Sequence, residues 1–331
     1  TGAAVAASFG VVGLGTDTGN SIRGPSSHNA LVGIRSTIGL TSRDGIVPLA
    51  FSHDIGGPMA RTVADAVAVF DVLAGTDPAD PTTVEADSRR AVDYNQFLDA
   101  NALVAARIGV VRQIVDRESG DPRMRDLLNG ALDDLRAAGA QIVDPVSIPM
   151  LDETVQFSCR RFRYDINAYL ATLGPEAPVK TLTEIVESGG YDRTVRDRIR
   201  RGLEESLEDP EIRCAEQTDN RRLLAQQVTG VLADEQLDAL VYPTWANVPR
   251  LIGDLRSPGG DNSQVLSPQT GFPAITVPMG WIEEGGQQLP GGLQIFGDAW
   301  SEPRLIAIAY AYEQATQHRR PPATTPALRQ Q

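Results

Sequence analysis

The stretch that decides the fold runs from Gly13 to Pro48 and reads GLGTDTGNSIRGPSSHNALVGIRSTIGLTSRDGIVP. Residues 3–14 are rich in Ala and Val, so an apolar element ends in a turn that contains several glycines and a proline. Consecutive backbone N–H groups in such a turn form a concave site for negative charge. Ser21 at its edge would direct its hydroxyl toward a carbonyl bound there, as a nucleophile beside an oxyanion hole does.

Other interpretations of this turn also have to be weighed. Gly13 and Gly15 give a partial match to a dinucleotide-binding fingerprint, but Thr18 occupies the position of the third glycine. Pro25 also interrupts the helix that this fingerprint requires. A serine in a glycine loop is, on spacing alone, more often an ordinary turn residue. The loop by itself therefore leaves both a turn and a nucleophile open.

Downstream of this stretch, apolar periodicity predicts alternating helices and strands and hence an α/β protein. A core helix is predicted after Thr62, which is a plausible N-cap, with Gly75 as its stop. Residues 107–114 read as a strand, a helix follows from Asp121, and residues 141–143 read as a second strand, which predicts a right-handed βαβ crossover. Further strands are predicted at 238–243, 274–277 and 292–296, with a closing helix at 302–317.

Composition excludes several classes of partner. The 331 residues carry 30 basic and 43 acidic side chains, a net charge of −13, so nucleic acid is not an expected ligand. No apolar run approaches eighteen residues, and no membrane association is expected. Cys159 and Cys214 lie far apart and form no metal-ligand pair, so no metal is expected, and a single disulfide would add little to a chain this long.

Two pairs of motifs carry a resemblance to a known family. The first pair is GTDTGNSIRGPSSHNALVGIRSTIGLTSRDGIVP with HDIGGPMARTVADAVAVFDVLAG, and the second is PQTGFPAITVPMG with PGGLQIFG. In this order they resemble the amidase signature enzymes. The resemblance implies that family's α/β fold, with a mixed β-sheet core covered by helices on both faces. It also implies a single domain over residues 1–331, in which 151–235 form a variable helical cap where the likeness is thin.

The resemblance also implies roles for the residues of the serine loop. Ser21 stands at the position of the acylating serine. The amides of the oxyanion hole belong to Thr18, Gly19 and Asn20, together with that of Ser21, and the supporting positions are Thr16, Asp17 and Arg23. Asn20 departs from the family's more usual glycine. Since Asn tolerates left-handed backbone geometry better than other non-glycine residues, we expect the turn to survive.

By resemblance, catalysis uses a Ser, cis-Ser, Lys triad. An unprotonated lysine draws the nucleophile's proton through the bridging serine, an acyl-enzyme forms, and water releases the acid after ammonia or an amine has left. The bridging serine and the lysine are expected upstream of Thr1, so we expect an N-terminally truncated chain that is inactive alone. Lys180, the single lysine of the chain, is expected to be an ordinary exposed residue at a helix start. No metal or organic cofactor is implied.

Several functions remain open at this stage. The alternatives are the glutaminase-type A subunit of a tRNA-dependent amidotransferase and an inactive fragment. A histidine-based serine hydrolase is disfavoured, because His53 and Asp54 are adjacent and side chains of neighbours do not naturally face each other. The expected substrate is a small-molecule or short-peptide amide in a pocket that Tyr164 and Trp245 help to line. A homodimer is compatible with the sequence, and the location is unknown, with the cytoplasm favoured.

Overall fold

A single mixed sheet forms the centre of the described part of the protein. The computed structural model describes residues 1–153, 155–254, 256–257 and 259–325. The strands are β1 (Val12–Asp17), β2 (Val32–Arg35), β3 (Ile55–Ala60), β4 (Arg107–Val110), β5 (Gln141–Val143), β6 (Ala239–Pro243), β7 (Ala274–Glu284) and β8 (Gln287–Phe296). Their order across the sheet is β1-β3-β2-β7-β8-β6-β4-β5. Strand β4 runs parallel to β5 and β6, and the other neighbours are antiparallel.

Helices cover both faces of this sheet. They are α1 (Gly2–Ala6), α2 (Arg23–His28), α3 (Val63–Leu73), α4 (Ala86–Arg89), α5 (Arg112–Val115), α6 (Pro122–Ala137), α7 (Phe162–Thr172), α8 (Leu182–Ser188), α9 (Arg196–Gly202), α10 (Pro210–Arg213), α11 (Ala215–Asp234), α12 (Ser267–Thr270) and α13 (Glu302–Thr316). A Cβ added to Gly291 of β8 would meet Leu127 of α6, whereas one added to Gly292 would meet Ser27 of α2. Because successive strand residues point to opposite faces, α6 and α2 lie on opposite sides.

Local signals in the sequence explain several of these elements. The hydroxyl of Thr62 accepts a hydrogen bond from the Asp65 amide at 3.1 Å, and α3 begins directly after this cap. Asp121 caps α6 in the same way, and the crossover from β4 through α6 to β5 joins two parallel strands. The predicted cap and the strand–helix–strand unit are confirmed, and the right-handed sense of the crossover stays a prediction. The strand predicted over 107–114 is shorter, since the chain turns at Val111 into α5.

The segment predicted as a helical cap, 151–235, divides into two parts. Helices α7 to α9 surround a small apolar cluster of their own, built on Ile166, Leu170 and Leu182. Helix α11 instead contributes its buried side chains to the main core of the protein. The cap range and the single-domain range stay predictions, and both include positions outside the described residues: Thr154 in the cap, and also 255, 258 and 326–331 in the whole chain. Among the described residues, no helix is both long and apolar enough to cross a membrane.

A disulfide between Cys159 and Cys214 ties the loop before α7 to the start of α11. It closes a loop in which the two cysteines are 55 positions apart, and loop-closure entropy for this length corresponds to about 4 kcal/mol. Although little was expected of a single disulfide, we now predict that Cys214→Ser lowers the unfolding free energy by about 2–4 kcal/mol. Urea unfolding measures this. Dithiothreitol should lower the unfolding free energy of the parent protein by the same amount as the substitution does, and it should have no effect on the variant.

Candidate active site

The serine loop lies between an edge strand and a short helix. Strand β1 ends at Asp17, the chain turns through residues 18–22, and α2 begins at Arg23. The turn is closed by a hydrogen bond from the Gly24 amide to the Asn20 carbonyl at 2.6 Å. Ser21 is exposed at its tip, and its Oγ donates to Asn20 Oδ1 at 3.2 Å.

A fully buried cluster of charges holds the base of this loop. Asp17 Oδ2 lies 3.1 Å from Arg23 Nε, and Asp17 Oδ1 lies 3.3 Å from Arg35 Nη1, with all three side chains inaccessible to solvent. Asp17 Oδ2 also accepts hydrogen bonds from the amides of Ile22 and Arg23. Burial alone would raise the pKa of Asp17, but the charges of Arg23 and Arg35 outweigh it and hold the pKa below its usual value. The carboxylate therefore orients the first turn of α2.

Arg23 connects this cluster to two distant parts of the chain. Its Nη2 donates to the Gly19 carbonyl at 2.7 Å, which ties the serine loop to α2. Its Nη1 donates to the Ser263 carbonyl at 2.8 Å and to Gln294 Oε1 at 3.0 Å. Arg23 thus fastens the turn at 261–264 onto the serine loop.

Two of the predicted supporting residues occupy very different surroundings. Asp17 is buried as described, whereas Thr16 is exposed on β1 opposite Gly56 of β3 and does not line the cavity at Ser21.

Thr18 takes part through its side chain, which donates a short hydrogen bond to the buried carboxyl of Asp54. Asp54 also accepts from the amides of Leu49 and Ala50 at 2.9 Å each, and burial raises its pKa.

Sequence reasoning missed Arg35, Asp54, Asp261 and Gln264 as parts of the site. Asp54 was noted only as the neighbour of His53. The loop motif itself carried no signal for Arg35, and Asp261 and Gln264 lie more than 200 positions further along the chain. A Cβ on Gly19 would lie 3.2 Å from Gln264 Cγ, so the absence of a side chain at Gly19 allows this close approach.

The backbone amides at the tip of the loop are free to bind a ligand. Within the part of the chain that the structure describes, the N–H groups of Gly19, Asn20 and Ser21 donate to no protein acceptor. They border an open cavity of about 430 Å³. The cavity is lined by Thr18, Gly19, Asn20, Ser21, Leu49, Ala50, His53, Ser158, Cys159, Arg198, Gln264, Pro268 and Gln269. Ser21 therefore presents its hydroxyl to a mainly polar cavity beside unpaired N–H donors.

Comparison with known proteins shows the family of this chain. The family model described as Amidase matches residues 1–306. The chain belongs to the amidase signature family. Peptide amidase from Stenotrophomonas maltophilia has a similar structure, with a TM-score of 0.81 and 38% identity over 97% of this chain and 65% of that one. The predicted fold class is thereby confirmed.

Curated relatives of this amidase signature protein include both enzyme types considered from the sequence. A probable amidase of Arabidopsis thaliana is 31% identical over 96% of this chain and 59% of that protein. The A subunit of glutamyl-tRNA(Gln) amidotransferase from Synechococcus sp. (strain CC9311) is 32% identical over 95% of this chain and 65% of that protein. The chain thus spans less than two thirds of the length of these curated relatives.

Asn20, the departure from the usual glycine of amidase signature proteins, does not adopt the left-handed backbone conformation. The expectation that Asn preserves the turn through its tolerance of that conformation is therefore corrected. The turn is held by the Gly24 amide and by Arg23, both of which bind loop carbonyls. What distinguishes Asn20 from glycine here is its side chain.

The aromatic residues predicted for the substrate pocket of this amidase signature protein lie elsewhere. Neither Tyr164 nor Trp245 is among the described residues that line the cavity at Ser21. Trp245 follows β6, and its ring stacks on His28 of α2 with 4.6 Å between centroids, against Gly24. Tyr164 lies half-buried on α7. Trp245 is absent from the cavity because the end of β6 places it against α2 rather than at the tip of the serine loop.

No histidine or lysine of the described chain contacts the Ser21 hydroxyl. His53 lines the same cavity, but its Nδ1 is hydrogen-bonded to Ser52 Oγ at 2.7 Å. The ammonium group of Lys180 donates to the carbonyls of Gly174 and Pro175 at 2.5 and 2.8 Å. Lys180 is half-buried rather than exposed as expected, and its ammonium group contacts backbone carbonyls of the preceding loop. Among the described residues, no three His, Cys, Asp or Glu side chains converge as a metal site requires.

Two half-buried histidines predict loss of stability in mild acid. Burial lowers the pKa of His28 to about 4, and burial together with the charges of Arg221 and Arg35 lowers that of His53 to about 3. Both remain neutral in the folded protein but take up protons near pH 6.5 when unfolded. Their contribution to the unfolding free energy is therefore complete above pH 6.5. It is lost as the pH falls toward the pKa values of the folded state, and the loss is on the order of 1–2 kcal/mol for each histidine by pH 5.

Thermal unfolding at pH 7 and pH 5 checks this prediction. We expect a lower Tm at pH 5, and a smaller difference between the two pH values in His28→Gln and His53→Gln. A pH dependence that is the same in both variants as in the parent would contradict the assignment.

Proposed function

We propose that the protein is a serine amidohydrolase that cleaves the C–N bond of a carboxylic amide through an acyl-enzyme on Ser21. The observation that carries this proposal is the exposed Ser21 hydroxyl beside loop N–H groups that have no acceptor among the described residues. Membership of the amidase signature family supports it. The buried Asp17 and Arg23 pair supports it further, because a preorganised loop needs no rearrangement when charge develops on the substrate oxygen.

In the proposed reaction, Ser21 Oγ attacks the amide carbon and its proton passes to a base. The loop amides of Thr18, Gly19, Asn20 and Ser21 stabilise the oxyanion. The C–N bond then breaks, the nitrogen takes up the proton, and ammonia or an amine leaves an ester on Ser21. Water hydrolyses this ester and releases the acid. Resemblance assigns the base to a lysine acting through a cis-serine, and among the described residues no lysine contacts the Ser21 hydroxyl.

The proposed substrate is a small-molecule or short-peptide amide. A cavity of about 430 Å³ holds a few residues of peptide or a molecule of similar size. The polar lining offers hydrogen bonds from Ser158, Gln264 and Gln269. The likeness to peptide amidase supports a peptide amide over a purely apolar compound.

Active-site labelling tests this proposal. The protein, as encoded by its gene, is treated with a serine-reactive fluorophosphonate, digested, and mapped by mass spectrometry, while ammonia release from a panel of peptide amides is measured. We expect one adduct, on Ser21, and loss of hydrolysis in proportion to labelling. An adduct on another serine, with hydrolysis abolished, would refute the assignment of Ser21.

A second candidate function is that of the glutaminase-type component of a tRNA-dependent amidotransferase. It is favoured by the 32% identity to the Synechococcus amidotransferase protein, although the identity to peptide amidase is higher at 38%. Such a protein would release ammonia from glutamine for a partner. Glutaminase activity that appears only with co-purified partner proteins would favour this candidate over the hydrolase.

We also predict that residues 1–331 expressed alone show no amide hydrolysis. Among the described residues, the Ser21 hydroxyl donates a hydrogen bond only to Asn20 Oδ1. An amide oxygen is too weak a base to take up the hydroxyl proton. The measurement is ammonia release from a peptide amide by this chain and by its Ser21→Ala variant. Ser21-dependent turnover by the chain alone would show that a base lies within these residues.

A further inference from the structure

We infer that Asn20 and Asp261 are positioning residues that together orient the Ser21 hydroxyl; the inference rests on the proposed function. The two ends of the Asn20 carboxamide have different partners. Its Nδ2 donates a short hydrogen bond to Asp261 Oδ2, and its Oδ1 accepts from Ser21 Oγ at 3.2 Å. A chain of two hydrogen bonds therefore runs from Asp261 through Asn20 to the nucleophile.

Asp261 is held firmly enough to act as an anchor. Its carboxylate accepts from the Ser263 amide at 3.2 Å and also from the side chains of Ser263 and Gln264. Its backbone forms an antiparallel bridge with Trp245, whose ring stacks on α2. Arg23 fastens the same turn through the Ser263 carbonyl. The anchor is thus attached to the scaffold that carries the serine loop.

The chemistry of Asp261 dictates which way the Asn20 carboxamide faces. A carboxylate accepts hydrogen bonds and cannot donate them, so only the NH₂ end of Asn20 can face it. The carbonyl end must then face Ser21, where it accepts a hydrogen bond from the hydroxyl before the proton passes to the base. Because the Ser21 side chain is exposed and could otherwise occupy any of three staggered rotamers, this acceptor selects one of them.

The backbone gives no reason for asparagine at this position. Asn20 is outside the left-handed region, and its carbonyl takes part in the turn as that of any residue could. The side chain alone distinguishes it from glycine, and both of its polar ends are used. Positioning of the nucleophile accounts for both hydrogen bonds.

A double-mutant cycle on the protein encoded by the gene tests the inference. The variants are Asn20→Gly, Asp261→Asn and the double substitution, with Asn20→Ala as a second route if the glycine variant does not fold. For each, kcat and KM are measured on a peptide amide, together with the rate of Ser21 labelling by a fluorophosphonate. Loss of one neutral hydrogen bond corresponds to about a twofold to tenfold change.

We expect each single substitution to lower kcat and the labelling rate by about twofold to tenfold without raising KM. In Asp261→Asn the new amide can donate to Asn20 Oδ1, which lets the carboxamide turn its NH₂ toward Ser21. The double variant should be no slower than the slower single variant, because both act through one chain of hydrogen bonds. Asp261→Glu, which retains a carboxylate, should recover part of the rate.

Three outcomes would overturn the inference. Additive effects would mean that the two residues act independently. An increase in KM for Asp261→Asn that persists in the Asn20→Gly background would mean that Asp261 contacts substrate. Unchanged labelling in every variant would mean that the hydroxyl needs no such acceptor. Failure of the parent protein to label at Ser21 is a distinct result, which refutes the proposed function and this inference with it.

Discussion

Ser21→Ala, introduced into the protein as its gene encodes it, is expected to lower amide hydrolysis by on the order of a millionfold. The reason is that a nucleophile and the groups that activate it act as one unit, so removal of one member abolishes the covalent route. The residual rate would come from the loop amides and substrate binding alone. The measurement is ammonia release from a peptide amide, with fluorophosphonate labelling as the second readout.

Ser26→Ala is a matched control for this substitution. Ser26 lies on α2, buried, and its hydroxyl has no hydrogen-bond partner among the described residues, so its removal should leave turnover within a fewfold of the parent. Ser21→Ala should retain the parent's circular dichroism and Tm, because Ser21 is exposed. Substantial turnover by a folded Ser21→Ala protein would exclude the acyl-enzyme on Ser21.

Asp17→Asn is expected to have the largest effect on stability, lowering the unfolding free energy by about 3–5 kcal/mol. The substitution leaves Arg23 and Arg35 buried without their counter-charge. It also places an NH₂ group against donors, including the Ile22 amide. The pKa of Asp17 is held below 3.8, so its contribution is present at neutral pH and is lost as pH falls through that lowered pKa. Urea unfolding at pH 7 measures the change.

Asp133→Asn provides the comparison for this prediction. Asp133 pairs with Arg136 at 2.8 Å on the surface of α6, where the two side chains are 78% and 49% exposed. Removal of an exposed pair costs about 0.5 kcal/mol or less. If Asp17→Asn were as mild as Asp133→Asn, the buried charges would not be what holds the serine loop in place.

Local features of this protein could be predicted from the sequence because their signals lie within a few residues. Thr62 and its partner amide at Asp65 are three positions apart, and they begin α3 where the pattern placed it. The βαβ unit over 107–143 was predicted in the same way from a cap, an apolar period and a terminating glycine. The exposed serine at the tip of a glycine-rich turn is likewise a local property of residues 13–24.

The tertiary structure alone decided which distant groups support that serine. Gln294 lies 271 positions from Arg23, and Asp261 lies 241 positions from Asn20, so no local pattern connects them. Strand order brings these residues together, since β8 and the turn at 261–264 pack against α2 and the serine loop. For the same reason Trp245, predicted for the substrate pocket, packs on His28 instead. The sequence by itself determined the elements and the turn that exposes Ser21, and the pairing of strands far apart in the chain determined the surroundings of that serine.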